Sequence, residues 1–184
     1  CEWWDWQVYT ANVTEQYAQV AVVGPNARKL LQVLGGMDVS KETLPFMQWV
    51  DGTLGGFPVR VYRISFSGEL SYEIAIPASH GAAFWAACQE AGKALGAMPY
   101  GTECLHIMRA EKGFIIVGQE TDGTVTPLDL GMDWIVSKQK DFLGKRSFSR
   151  PDTSRGDRKQ LVGLLPADPA EVLERLPMRP GDAT

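Results

Sequence analysis

Val59-Arg60-Val61-Tyr62-Arg63-Ile64-Ser65-Phe66-Ser67-Gly68-Glu69-Leu70-Ser71-Tyr72-Glu73-Ile74-Ala75-Ile76 decides the fold: it reads as strands over 59–66 and 71–76 joined through Ser67-Gly68-Glu69. β-Branched and aromatic residues fill both runs, and a glycine among small polar neighbours marks the turn. Side chains alternate along a strand, so Tyr72, Ile74 and Ile76 share one face while Ser71, Glu73 and Ala75 share the other. Glu73 is therefore a mid-strand acid. On an open sheet it is an ordinary solvated side chain. Under a covered face its carboxylate needs donors, and it suits a planar two-donor partner: Arg, or the amino-pyrimidinone edge of a pterin or guanine.

Outward from this hairpin, Gln7–Val13 and Gln19–Val23 also read as strands. Gly24-Pro25 stops the second, Asn26 is placed to cap a helix through Leu34, and Gly35-Gly36 ends it. Asp38–Leu44 is a short helix or a loop. Ser79 is placed to cap a helix from His80 to Leu95 with Phe84, Ala87, Cys88, Ala91 and Leu95 as its apolar stripe. A further helix runs from Thr102 to Lys112 and stops at Gly113. Strand–strand–helix, repeated, predicts an α+β fold with mostly antiparallel sheets packed by helices. Arg150–Gln160 is the most polar segment and marks a boundary, giving units 1–150 and 151–184. Leu161–Leu165 reads as a strand, followed by the proline-punctuated stretch from Pro166. The abrupt opening on Cys1, Trp3, Trp4 and Trp6 and this polar tail read as the ends of a piece of a longer polypeptide.

Composition sets outer limits. The chain has 184 residues, 45% of them apolar and 22% charged, with 18 Lys+Arg against 22 Asp+Glu for a net charge of −4. That balance disfavours a general nucleic-acid or anionic-membrane surface, and no apolar run approaches the ~20 residues that span a bilayer. Cys1, Cys88, Cys104, His80 and His106 lack the spacing of a zinc site or a disulfide framework. No metal is assigned, and a reducing, cytoplasmic setting is expected. Glycine-rich nucleotide loops and G-x-S-x-G or H-E-x-x-H motifs are missing. Two other residues carry chemical interest. Arg109, mid-helix, is either a surface residue or one turned into a cleft to bind an anion or brace Glu73. Trp134, after a glycine turn, is either core or a stacking platform.

Five segments occur together in order: Ala21–Ala27, Phe66–Glu73, Met108–Gly113, Thr126–Trp134 and Asp141–Lys145. Together they resemble the aminomethyltransferase (glycine-cleavage T-protein) family, over about Trp6 to Leu165. Within it, Pro99-Tyr100-Gly101-Thr102-Glu103, Arg109–Gly113 and Gly118–Pro127 are most similar to the α-subunit branch of heterotetrameric sarcosine oxidases, in its C-terminal region. The resemblance implies a T-protein-like fold of which this chain is a truncated part: residues 1–150 a folate-binding domain lacking its N-terminal portion, and 151–184 the start of a C-terminal β-barrel-like domain. It implies tetrahydrofolate as the cofactor held here, with Glu73 gripping the pterin, Arg109 near the folate, Trp134 flanking the aminobenzoyl ring, and Phe66 packing where the family usually has Tyr. FAD, FMN and NAD are implied elsewhere in a full enzyme, and β, γ and δ subunits as partners.

The implied reaction is oxidative demethylation of sarcosine to glycine, with one-carbon transfer to tetrahydrofolate giving methylenetetrahydrofolate, and hydrogen peroxide as a further product. No segment matches the family's acidic or amide group beside the reacting folate nitrogen, so catalytic residues are unassigned. A folate-binding module without catalysis is a second reading, but family members of that kind carry Cys in a K-G-C motif where this chain has Phe114. An aminomethyltransferase or dimethylglycine-type demethylase acting on another N-methyl amine is a third, and a scaffold for subunit contacts a fourth.

Overall fold

The structure is a computed structural model that describes residues 6–163. Trp3, Trp4, the end of the Leu161–Leu165 segment and the stretch from Pro166 lie outside the described residues. The chain divides into two compact units between Phe114 and Ile115. In the first, β1 (Tyr17–Val23), α1 (Ala27–Leu34), β2 (Trp49–Leu54), β3 (Phe57–Tyr62), β4 (Ser71–Pro77), α2 (Gly81–Gly92) and α3 (Thr102–Glu111) follow in order. The four strands form one antiparallel sheet in the order β1-β4-β3-β2. The architecture is thus an antiparallel sheet with helices, as the α+β reading expects.

One face of the sheet is apolar. Val20 and Val22 of β1, Val59 and Val61 of β3, and Tyr72, Ile74 and Ile76 of β4 are all buried. Helices α1 and α2 cover them with Leu30, Leu31, Phe84 and Cys88. The buried Tyr72 hydroxyl is satisfied by Arg28, whose Nε donates to it at 2.8 Å and to the Val39 carbonyl at 3.1 Å. The expected stripe on α2 is the one that packs. Its N-terminus is made differently, however: Ala78–His80 form a short 3-10 turn, and Ser79 makes no side-chain cap.

The quoted hairpin is present with a longer connection. β3 and β4 pair antiparallel only from Arg60↔Ala75 to Tyr62↔Glu73, and residues 63–70 form a loop instead of extending both strands. Side chains capture the backbone there: Gly68 N donates to Ser65 Oγ at 2.9 Å, Glu69 N to Ser67 Oγ at 3.3 Å, and Arg63 Nη1 donates to the Ser71 carbonyl at 3.1 Å. The tight hairpin lies one strand earlier. β2 and β3 are joined by Gly55-Gly56, whose φ values of 57° and 87° are those a two-residue hairpin turn needs. The expected strand over Gln7–Val13 does not form. That segment is exposed throughout and pairs with no strand among the described residues, so its β-propensity finds no sheet to join. Asp38–Leu44 is a loop, tied by the Asp38 carboxylate to the hydroxyls of Ser40 and Thr43.

The second unit has 3-10 turns at Pro127–Leu130, Asp133–Ile135 and Lys145–Ser149. Thr126 and Asp129 form a reciprocal capping box, and the same Asp129 is gripped by Arg158, Nε to Oδ1 at 2.8 Å and Nη2 to Oδ2 at 2.6 Å. Leu161–Gly163 carry no strand; the Leu161 N–H donates to the Asp129 carbonyl at 2.8 Å. Among the described residues no helix is long and apolar enough to cross a membrane.

Candidate functional site

The other face of the sheet is polar and holds Glu73. Its neighbours across the ladder are Ala21 on β1 and Tyr62 on β3. Glu73 is half-buried, and its carboxylate accepts a hydrogen bond from Gln19 Nε2 on β1. The short segment before α3 carries Tyr100, whose hydroxyl feels the charge of Glu73. The Tyr100 hydroxyl is pushed above its ordinary value by burial, then by the charges of Cys104 and Glu73, so all three lie within electrostatic reach. The mid-strand acid therefore accepts from one amide and lies opposite the Tyr62 phenol, on a face that is partly covered.

Further along this face, β2 and β3 carry a second polar group. Arg60 donates Nε to Asp51 Oδ1 at 2.7 Å and Nη2 to Oδ2 at 2.9 Å, and its guanidinium lies 4.2 Å from the centre of the Trp49 ring. Hydrogen bonding to Asp51, then to Tyr62, raises Arg60 above its ordinary value, and Asp51 is held below its own by the same partner. A depression of about 590 Å³ lies here, lined by Tyr17, Asp51, Arg60, Tyr62 and Ala75 among others. Tyr62 and Ala75 connect it to Glu73 across and along the sheet.

Arg109 is buried on α3, and its Nη1 donates to the Phe114 carbonyl at 3.1 Å. It is therefore not a surface side chain. It does not brace Glu73, whose donor is Gln19. Phe66 sits in the loop after β3 and is 41% exposed. Gly68, two residues on, lies so close to Lys112 at the end of α3 that any Cβ there would overlap its side chain. Trp134 belongs to the second unit and is 78% exposed, so it is not core. Gln19, Tyr62 and Tyr100 were not anticipated. The alternation of β1 places Gln19 outward, but only the pairing register shows which acid it meets.

Of the described cysteines, Cys88 is buried, which pushes its thiol up to about 11, and Cys104 is exposed. No group of His, Cys, Asp and Glu among the described residues is placed to hold a metal ion.

Comparison with known proteins decides the family. The model of the GCVT N-terminal domain matches residues 2–140. The chain belongs to that family. It is 57% identical over 171 residues to a sarcosine oxidase subunit alpha from Corynebacterium sp. (strain P-1), covering 92% of this chain and 18% of that protein. A sarcosine oxidase subunit alpha from Rhizobium meliloti (strain 1021) is 43% identical, over 92% of this chain and 17% of its own length. An aminomethyltransferase from Halothermothrix orenii is 33% identical, over 83% of this chain and 42% of its own. The chain thus spans less than a fifth of the sarcosine oxidase subunits it matches. The resemblance read from the five segments holds, both for the family and for its similarity to sarcosine oxidase α subunits.

Proposed function

We propose that this chain is the folate-holding part of a sarcosine oxidase-type α subunit with a T-protein-like fold, extending over residues 1–150, with 151–184 opening a further domain. The observation that carries the reading is Glu73: a half-buried carboxylate on the polar face of the sheet, held by Gln19 and opposite Tyr62, in a family member. Such a donor set fits a reduced pterin. The carboxylate accepts two parallel N–H bonds from the amino-pyrimidinone edge, charge-assisted and geometrically specific, and the neighbouring phenols of Tyr62 and Tyr100 offer ring faces and hydroxyls.

In this reading Glu73 orients the pterin. Phe66 packs beside the ring and Arg109 supports the wall of the site from within α3; Trp134, in the second unit, is an exposed indole on which an aromatic group can stack. Bound tetrahydrofolate supplies a nucleophilic nitrogen that accepts a one-carbon unit. The contribution of this chain is proximity: fixing the ligand where a reactive one-carbon unit arrives lowers its loss to bulk water. Oxidation of sarcosine to glycine with release of hydrogen peroxide belongs to the larger protein, at a flavin on a different subunit, with β, γ and δ subunits as partners, in the cytoplasm; FAD, FMN and NAD are all held outside this chain.

Isothermal titration of the intact protein with tetrahydrofolate tests this. Wild type should give a saturable heat. Glu73→Gln should bind at least ten times more weakly, because a charge-assisted contact is worth about 1.5–3 kcal/mol. An absence of heat from wild type would remove the folate reading.

A further inference from the structure

Gln19 and Glu73 are not register partners. Gln19 faces Ala75 and Glu73 faces Ala21, so the amide reaches its acid along the diagonal of the β1–β4 ladder. The two residues completing that square are alanines, whose methyl groups leave the diagonal open and offer no competing polar atom. Gln19 itself is exposed on an outward strand position, where the core makes no demand for an amide. Its donation to Oε2 is nevertheless the hydrogen bond that Glu73 accepts among the described residues. An ionised carboxylate has about four lone-pair sites, so one amide donor fixes the group and leaves the others for a ligand.

We infer that Gln19 is a positioning residue: its Nε2 holds the Glu73 carboxylate in the one orientation that presents a planar pair of acceptor sites to the ligand edge. This rests on the folate reading above and deepens it. A glutamate free to rotate loses that freedom when the ligand arrives, whereas one already held by Gln19 has lost it before binding. The amide acts through Glu73 alone, so its effect must vanish when the carboxylate is gone.

The test is a double-mutant cycle on the intact protein, titrated with tetrahydrofolate, using wild type, Gln19→Leu, Glu73→Gln, both together, and the exchange Gln19→Glu with Glu73→Gln. Gln19→Leu should weaken binding about three- to tenfold in the wild-type background and less than about twofold in the Glu73→Gln background. Its melting temperature should match wild type, because the site is exposed. The exchange keeps an acid–amide pair across the same diagonal but moves the carboxylate to β1; stability should be retained and affinity not restored. Wild-type affinity in Gln19→Leu, an equal further loss on the Glu73→Gln background, a matching drop in melting temperature, or affinity rescued by the exchange would each overturn the role of Gln19 while leaving the folate site standing. Wild type that fails to bind would instead overturn the folate reading, and this inference with it.

Discussion

On β4, Tyr72, Ile74 and Ile76 point into an apolar layer closed by α1 and α2, while Glu73 and Ala75, one residue away, lie on a face of amides, phenols and an Arg–Asp pair. The inner face commits the strands to one register, since a slip of one residue would turn every apolar side chain to water and bring Glu73 into the core. The outer face needs little from the core beyond that register, and is free to carry polar residues that meet a ligand. The difference teaches that the position of Glu73 is set by residues that never touch it.

This contrast predicts effects of graded size. Ile74→Ala, at a fully buried position, should cost about 2–5 kcal/mol in chemical denaturation, and reduce ligand affinity only as far as it unfolds the unit. A loss of affinity without a loss of stability would break the separation of the faces. Next in size is a pair in the second unit, Asp129 with Arg158, where both side chains are largely buried. Arg158→Ala should lower the denaturation midpoint of that unit measurably, because it leaves the Asp129 carboxylate without its cation.

The same pair sets a pH dependence. Hydrogen bonding to Arg158 first, then to Thr126, holds the Asp129 carboxyl well below the usual carboxylate range. A depressed carboxyl contributes stability that is present above its unfolded value, about 3.9, and is lost as pH falls below it. Acid titration of wild type should therefore show a steeper stability loss below about pH 4 than Asp129→Asn; equal losses in both proteins would contradict the assignment. The exposed Arg60–Asp51 pair on the outer face shares the sign but should matter far less. Asp51→Asn should leave the thermal midpoint nearly unchanged, and a clear drop would mean the outer face is structural after all.

Sequence periodicity read the inner face well. The alternation of β4, the stripe on α2 and the glycine end of α1 are local signals, and each survives in the structure, whereas Asn26 at the start of α1 makes no side-chain cap bond. β2 was missed because Asp51, Gly52 and Thr53 interrupt its apolar pattern; its one clear sign was Gly55-Gly56 between Leu54 and Phe57. Gln7–Val13 failed in the opposite way, with β-propensity but no partner. On the outer face, Glu73 was legible as a mid-strand acid from the alternation of β4, whereas Gln19 comes from a part of the chain far removed in sequence and meets it only through the fold.

A crystal structure of the intact protein with a bound reduced folate tests the central claim most directly. The account predicts the pterin on the outer face of the sheet, with two of its N–H groups about 2.8 Å from the Glu73 oxygens and the Gln19 contact retained. A folate bound away from Glu73, with that carboxylate still held only by Gln19, would contradict it.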